Sequence, residues 1–215
     1  MAIIDHHLDT APERPVVAPI PPAAGTAAWA NAAPLGLAAF AVTTFILSMI
    51  NIGAVSIGVE PVAFAVAFMY GGLAQLIAGI ICLRNGNTFT GVLFSTFGAF
   101  WLSFYALAEF FLKAVPPAEV GHALGMFLFA FSFPTLMLLI ASFRTNIVVV
   151  VAIADLLVTL VMLGAGYFWA QAGLHTAGGW LGLVAGALAL YLALAETCEF
   201  TYGRAVFPVG PLARR

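Results

Sequence analysis

Charge is the property of which this sequence has least. Only 7% of its 215 residues are charged and 63% are hydrophobic, whereas a soluble domain carries about 25% charged residues. The mean hydropathy is correspondingly high, at +1.09. This composition excludes a soluble globular domain and indicates an integral membrane protein.

Cysteine, histidine and basic residues are also scarce, and each shortage excludes a class of function. The two cysteines lie in or beside apolar stretches, so no disulfide framework is expected. The adjacent pair His6 and His7 does not make a metal-ligand pattern, so we expect neither a metal nor a cofactor. No basic patch is present to bind nucleic acid. No nucleophile–base pair or phosphate-binding loop is present, and we do not expect an enzyme.

What the sequence has instead is a series of six long apolar runs. Each is close to the roughly 20 residues that a membrane-spanning helix needs. The predicted helices cover residues 35–55, 62–83, 91–113, 123–143, 147–169 and 178–199. Because the connections are short, the sequence predicts one compact all-α bundle of six transmembrane helices.

The segments outside these runs set the expected domain organisation. Residues 1–30 are rich in Ala and Pro and have no secretory signal, so we expect a disordered cytoplasmic tail. Residues 31–203 are expected to form the transmembrane domain, and residues 204–215 a cytoplasmic C-terminal tail. With both termini in the cytoplasm, the outside loops hold only Lys113, as the positive-inside rule requires. The inside segments then hold Arg14, Arg84, Arg144, Arg204, Arg214 and Arg215.

Seven short sequence words carry a family resemblance. They are NAAPLGL at 31–37, YGGLAQLIAG at 70–79, GNTF at 86–89, FGAFW at 97–101, GGWLG at 178–182, YLALAE at 191–196 and YGRAVFPVG at 202–210. This ordered set resembles the acetate uptake transporter family, the succinate–acetate permeases, over nearly the whole chain. The usual family signature is NPAPLGL, so Ala32 stands in place of the first Pro.

The resemblance implies a function and an assembly. We expect membrane transport of acetate and related small monocarboxylates, with succinate a further candidate, through a hydrophobic constriction within each protomer. Passage is expected to be proton-linked or channel-like, in a homohexamer of the inner (plasma) membrane. The alternative is a channel for small uncharged solutes such as urea or short amides, which also needs a short bundle with a narrow apolar gate.

The resemblance also assigns residues to the pathway. Carried over by motif, the apolar constriction is Phe40, Phe97 and Leu156, and Ala189 on the last helix is expected to influence selectivity. The polar residues expected to flank the constriction and bind the solute are Asn31, Thr43, Thr44, Asn51, Gln75, Ser95 and Thr96.

The helical period gives part of this set independently. Phe40, Thr43, Thr44, Leu47 and Asn51 follow the spacing of one helical face, so that face should point at protein or at a solute.

Ionisable residues within the apolar runs are the candidates for proton coupling, because such groups are costly in a membrane. We select Glu196 and Asp155. Where the family commonly has a further acid, this chain has Cys82. No Lys or Arg lies at membrane depth, so an anion crossing the constriction would lose its hydration without a compensating charge. Passage as the protonated acid, or together with a proton, avoids most of that loss.

Overall fold

The structure is a computed structural model that describes residues 29–212. Within these residues six helices are long and apolar enough to cross a membrane, and no strand is present, which confirms the predicted all-α class. The helices are α1 (Ala33–Asn51), α2 (Ile57–Arg84), α3 (Thr88–Ala114), α4 (Pro117–Ser142), α5 (Ile147–Phe168) and α6 (Ala172–Tyr202). His6, His7 and most of the predicted N-terminal tail lie outside the described residues.

Local sequence signals explain where several helices begin and end. Pro34 occupies the first turn of α1, where its missing N–H is not needed. The side-chain oxygens of Asn87 and Asn146 accept hydrogen bonds from Thr90 N and Val149 N at 3.2 and 2.9 Å, which caps α3 and α5. After α6, Gly203 takes a left-handed conformation with φ of 66°, as is common at helix C-termini.

The second and third helices are irregular, which the apolar runs did not predict. A π-helical segment, Ala67–Ala74, interrupts α2 directly before Gln75, and α3 contains another at Leu107–Phe111. A π turn rotates the two parts of a helix relative to each other. Gly71 within this segment and Gly79 after it therefore meet different helices. Gly71 lies against Thr43 of α1, and Gly79 against Ser95 of α3.

The helices pack as a closed ring. Helix α1 lies between α2 and α6, α6 also packs on α5, α5 on α4, and α2 on α3, with a lighter contact from α3 to α4. Two glycines from the family motifs allow neighbouring helices to approach each other closely. A Cβ on Gly36 would lie 2.6 Å from the Phe94 ring, and one on Gly182 would collide with the Ser48 hydroxyl. Small residues at such positions let membrane helices approach closely.

The segment after α6 folds back on the bundle. Gly210 O accepts a hydrogen bond from Ile147 N at 2.8 Å, and Thr145 O accepts one from Leu212 N at 2.9 Å. Tyr191 Oη donates to Pro208 O at 2.8 Å. The described part of the predicted C-terminal tail is thus tied to the first turn of α5, where it satisfies a backbone N–H that no helical carbonyl can reach.

The predicted helix limits are wrong by four to six residues at the end of α1 and at the beginnings of α2, α4 and α6. The first run was expected to reach residue 55, but α1 ends at Asn51 and the chain turns at Gly53, with φ of 75°. The last run was expected over 178–199, whereas α6 extends from Ala172 to Tyr202. The residues at both ends of α6 are helical although they lie outside the predicted apolar run.

Candidate functional site

Two cavities lie inside the part of the bundle that the structure describes. We name the first the Gln75 cavity and the second the Trp101 cavity. Each has a volume of about 50 Å³. Since one water needs roughly 10–15 Å³ of such space, each cavity has room for a few waters or one very small solute.

The Gln75 cavity is lined almost entirely by apolar side chains. Besides Gln75 these are Leu37, Phe40, Leu93, Phe94, Phe97, Val149, Ala152, Ile153, Leu156, Ala185, Ala189 and Leu192. Leu37 and Leu192 lie near the beginning of α1 and the end of α6. The cavity therefore occupies the half of the bundle that carries Asn31 and Glu196.

The Trp101 cavity lies toward the opposite ends of α1 and α5. Its lining residues are Phe40, Thr44, Leu47, Ser48, Asn51, Phe97, Phe100, Trp101, Phe104, Leu128, Leu156, Thr159, Leu160, Leu163 and Tyr167. Asn51 and Tyr167, near the ends of α1 and α5, line its outer part. The ring of Tyr167 meets that of His175 edge to face, with centroids 4.7 Å apart.

Three residues line both cavities, and they are the three that the family resemblance selected. Phe40 and Phe97 meet edge to face with ring centroids 5.7 Å apart at 72°, and Leu156 completes the set from α5. All three are buried. Among the described residues, any passage from one cavity to the other meets this apolar cluster. Its role as a transport constriction stays a prediction.

Gln75 brings hydrogen-bonding capacity into the first cavity. Its side chain is 1% exposed, and its Oε1 atom is buried without a hydrogen-bond partner in residues 29–212. A buried acceptor left unpaired costs about 1–3 kcal/mol. The cavity beside it is the space from which a partner can come. Ala189, expected to influence selectivity, lines this same cavity.

Four of the five residues on the predicted polar face of α1 line the Trp101 cavity: Phe40, Thr44, Leu47 and Asn51. Thr43 does not. Its hydroxyl donates to Ala39 O at 2.8 Å, and its side chain packs against Gly71. The two threonines of this face therefore have different surroundings. Thr44 faces the cavity, whereas Thr43 fills the contact between α1 and α2.

Ser95 and Thr96 line neither cavity. Ser95 lies against Gly79 of α2, which makes it part of the close contact between α2 and α3. Both residues are half-buried. Their expected role in solute binding finds no support from the geometry of the cavities.

Asn31 and Glu196, which the sequence placed in separate roles, are joined in the structure. Asn31 Nδ2 donates to Glu196 Oε2 at 3.0 Å, and Asn31 Oδ1 accepts from Ala33 N at 3.0 Å. The first turn of α1 thus receives an amide cap, and the cap holds a carboxylate of α6. Carboxylates are favoured near a helix N-terminus.

Asp155, the other candidate for proton coupling, lines neither cavity. It is half-buried, and its Oδ2 atom is buried without a hydrogen-bond partner within residues 29–212. Glu196 also lies outside both linings. The geometry therefore brings neither carboxylate into the described cavities. Over the same residues, no group of three or more His, Cys, Asp and Glu side chains could hold a metal ion.

Sequence reasoning missed four polar residues of the Trp101 cavity: Ser48, Trp101, Thr159 and Tyr167. Trp101 belongs to an aromatic run of α3, and aromatic runs in membrane helices more often pack than bind. Thr159 follows Leu156 at a spacing of three, so the two share a helical face. This spacing could have identified Thr159 as a lining residue, provided that Leu156 itself was placed in the path.

Comparison with known proteins places this fold and site in a family. The chain matches the GPR1/FUN34/yaaH family over residues 15–214. It is 32% identical to the succinate-acetate/proton symporter SatP of Escherichia coli (strain K12) over 186 residues, 86% of this chain and 98% of that protein.

A fungal relative and a solved structure are also similar. Acetate permease A of Emericella nidulans is 36% identical over 196 residues, 84% of this chain and 66% of the permease. The structure of the bacterial acetate channel SatP superposes with a TM-score of 0.79 and 32% identity, over 85% of this chain and 99% of that one. These matches confirm the resemblance of the motifs, and the chain belongs to the GPR1/FUN34/yaaH family.

Proposed function

We propose that this protein transports acetate and related short monocarboxylates across the membrane. The observation that carries the proposal is the pair of cavities that meet at Phe40, Phe97 and Leu156. The relatives named above are described as a succinate-acetate/proton symporter, an acetate permease and an acetate channel. Their shared substrate class fits a path of small, mainly apolar compartments.

The dimensions of the path favour a very small solute. Each cavity of about 50 Å³ holds few heavy atoms, and an apolar cluster separates the two. A methyl group crosses such a cluster without loss, whereas a second carboxylate or a hydroxyl would lose its hydrogen bonds there. Acetate should therefore be preferred over lactate and succinate.

Gln75 supports passage of the protonated acid. A carboxamide presents one acceptor oxygen and an N–H donor side by side. A neutral carboxylic acid presents the matching O–H donor and C=O acceptor, so the two groups can form a paired hydrogen bond. A carboxylate has acceptors only and would leave Gln75 Oε1 unpaired. The Gln75 cavity therefore favours the neutral acid, and transport carries a proton with each solute.

Orientation and assembly complete the proposal. The single Lys and six Arg favour cytoplasmic termini in the inner membrane, which would direct the Gln75 cavity toward the cytoplasm. For the assembly we infer a homohexamer in which each protomer has its own path. Native mass spectrometry of the purified protein measures the number of subunits.

The experiment that tests the function is uptake of radiolabelled acetate into proteoliposomes, with and without an inward proton gradient. We expect uptake above that of protein-free vesicles, and faster uptake when the outside is acidic relative to the inside. Radiolabelled urea in matched vesicles tests the alternative, an uncharged-solute channel. Urea uptake that exceeds acetate uptake and ignores the proton gradient would overturn the proposal.

A further inference from the structure

Three arginines lie at the end of the bundle where α2, α4 and α6 finish. Arg84 is the last residue of α2, Arg144 lies between α4 and α5, and Arg204 follows α6. All three side chains are exposed. Within residues 29–212 no carboxylate forms an ion pair with any of them, although Glu196 and Glu199 of α6 lie at the same end. Their charges are therefore available to an anion from outside the described chain.

Two of these arginines continue an exposed apolar face of a membrane helix. Ile80 of α2 and Ile140 of α4 are exposed, and they precede Arg84 and Arg144 by four positions each, which is the spacing of one helical face. Phe143, directly before Arg144, is 55% exposed. An exposed apolar face at membrane depth contacts acyl chains, so an arginine at its end reaches the level of the lipid headgroups.

Arg84 is also held in place by the beginning of the described chain. Its Cζ atom lies 5.2 Å from the centroid of the Trp29 ring, which is within the range of a cation–π contact. Asn85 Nδ2 donates to Trp29 O and Ala30 O at 3.1 and 3.2 Å, and these bonds fix the tryptophan beside the guanidinium. Tryptophan is enriched at membrane–water interfaces, so the pair has the composition of a headgroup contact.

We propose that this end of the bundle binds anionic phospholipids, with Arg84 and Arg144 donating hydrogen bonds to the headgroup phosphate. The planar guanidinium matches two phosphate oxygens at once, and Arg204 adds positive charge at the same end. An exposed apolar face leads to each of the two arginines, so one lipid molecule contacts the helix with its acyl chains and the arginine with its headgroup. A soluble phosphate makes only the second contact. The inference does not depend on the transported solute.

The test is native mass spectrometry of the purified full-length protein in a neutral detergent. The protein is titrated with phosphatidylglycerol or with phosphatidylcholine of the same acyl chains, and the fraction of protein that carries lipid gives each dissociation constant. We expect phosphatidylglycerol to bind several-fold more tightly. Arg84→Gln and Arg144→Gln should each weaken its binding about fivefold, the contribution of one basic residue near a membrane surface. Binding of phosphatidylcholine should not change.

Two further variants separate a specific contact from general effects of charge. Lys113→Gln removes an exposed cation near the end of α3, at the opposite end of the bundle. That end also carries Glu60, Glu109 and Glu119, so the preference for phosphatidylglycerol should be kept. Arg84→Lys retains the charge and loses the planar pair of donors, so its affinity should lie between those of the wild type and Arg84→Gln.

The outcomes decide between a lipid site and its alternatives. A preference for phosphatidylglycerol that decreases in Arg84→Gln and Arg144→Gln, and persists in Lys113→Gln, supports the inference. Equal affinity of the wild type for the two lipids, or an equal loss in Lys113→Gln, would overturn it. Displacement of phosphatidylglycerol by an equal concentration of glycerol 3-phosphate would also overturn it, because a soluble phosphate would then suffice.

Discussion

The two cavities share three residues and differ in all of their hydrogen-bonding groups. The Trp101 cavity has donors from α1, α3 and α5, whereas polarity in the Gln75 cavity comes from one carboxamide of α2. Both have a similar volume, about 50 Å³, so the clearest difference between them is chemical. It teaches that one apolar cluster can separate two compartments that offer different hydrogen-bonding groups.

The helices explain how this difference arises. Helices α1, α3 and α5 contribute to both cavities, since each runs past the cluster of Phe40, Phe97 and Leu156. Small residues of α6, including Ala185 and Ala189, line only the Gln75 cavity, while Leu128 of α4 lines only the other. Substitutions can therefore be directed at one cavity, at the shared apolar cluster or at the end of the bundle, and we expect their effects to decrease in that order.

The largest effect of a polar substitution is expected at Gln75. Gln75→Met keeps the length of the side chain and removes both the donor and the acceptor. Without this partner the solute lacks a buried hydrogen bond, which costs about 1–3 kcal/mol. Proton-driven acetate uptake should therefore be about tenfold slower or more. Uptake into proteoliposomes at a fixed proton gradient measures this loss.

Leu76→Met provides the matched control for Gln75→Met. Leu76 is adjacent on α2, packs against Gly98 and lines neither cavity, so uptake should stay within twofold or so of the wild type. Equal uptake by the Gln75 and Leu76 variants would show that the carboxamide does not meet the solute.

A steric change at the constriction should alter selectivity. Leu156→Ala removes three carbons shared by both cavities, so bulkier acids such as lactate should compete better and the lactate-to-acetate flux ratio should rise several-fold. The free energy of unfolding should also fall by about 2–5 kcal/mol, as for other buried leucines. Flux of each labelled acid into matched proteoliposomes gives the ratio.

Leu138→Ala separates selectivity from stability. Leu138 of α4 is also buried but lines neither cavity, so its truncation should lower stability by a similar amount and leave the flux ratio unchanged. A ratio that rises equally in both variants would assign the effect to a loosened bundle.

A smaller effect is expected from the carboxylate at the Asn31 end of the bundle. Glu196→Gln keeps an oxygen that can accept from Asn31 Nδ2 and removes the charge. If Glu196 relays protons, the pH dependence of acetate flux should flatten while the oligomer and its thermal stability are preserved. Asp155→Asn is the comparison, and we expect less change there. An unaltered pH profile in Glu196→Gln would leave this residue with a structural role only.

The smallest effect is expected at the cap of α1. Asn31→Ala removes the amide that binds both Ala33 N and Glu196 Oε2, and the loss of such a cap lowers the free energy of unfolding by about 1 kcal/mol. If Asn31 also guides solute into the Gln75 cavity, acetate uptake should decrease in the assembled variant. Thermal unfolding in detergent and uptake in vesicles measure the two effects separately.

Much of the fold could be predicted from the sequence because membrane helices depend on long apolar runs. The number of helices followed from those runs, and the family words selected Phe40, Phe97 and Leu156, which line both cavities. The division between Thr43 and Thr44 did not follow from the runs, since both lie on one broad helical face. Which hydroxyl meets a cavity depends on how closely α1 approaches Gly71 of α2, and that contact is long-range.

The π segment of α2 shows a second limit of sequence reasoning. The residues Ala67–Ala74 are equally compatible with a regular α-helix, so their sequence does not predict the π-helical turn. Yet this turn changes the direction in which Gln75 lies relative to Gly71. The sequence therefore shows that Gln75 is a polar residue in an apolar helix, but it does not show which cavity Gln75 lines.

The central claim is that solute passes between the two cavities across Phe40, Phe97 and Leu156. Replacement Leu156→Trp fills the point that both cavities share, so the most direct measurement is acetate flux through this variant in proteoliposomes, with assembly verified beforehand. The account predicts flux reduced to that of protein-free vesicles. Flux at the wild-type rate through an assembled Leu156→Trp protein would place the path elsewhere and contradict the account.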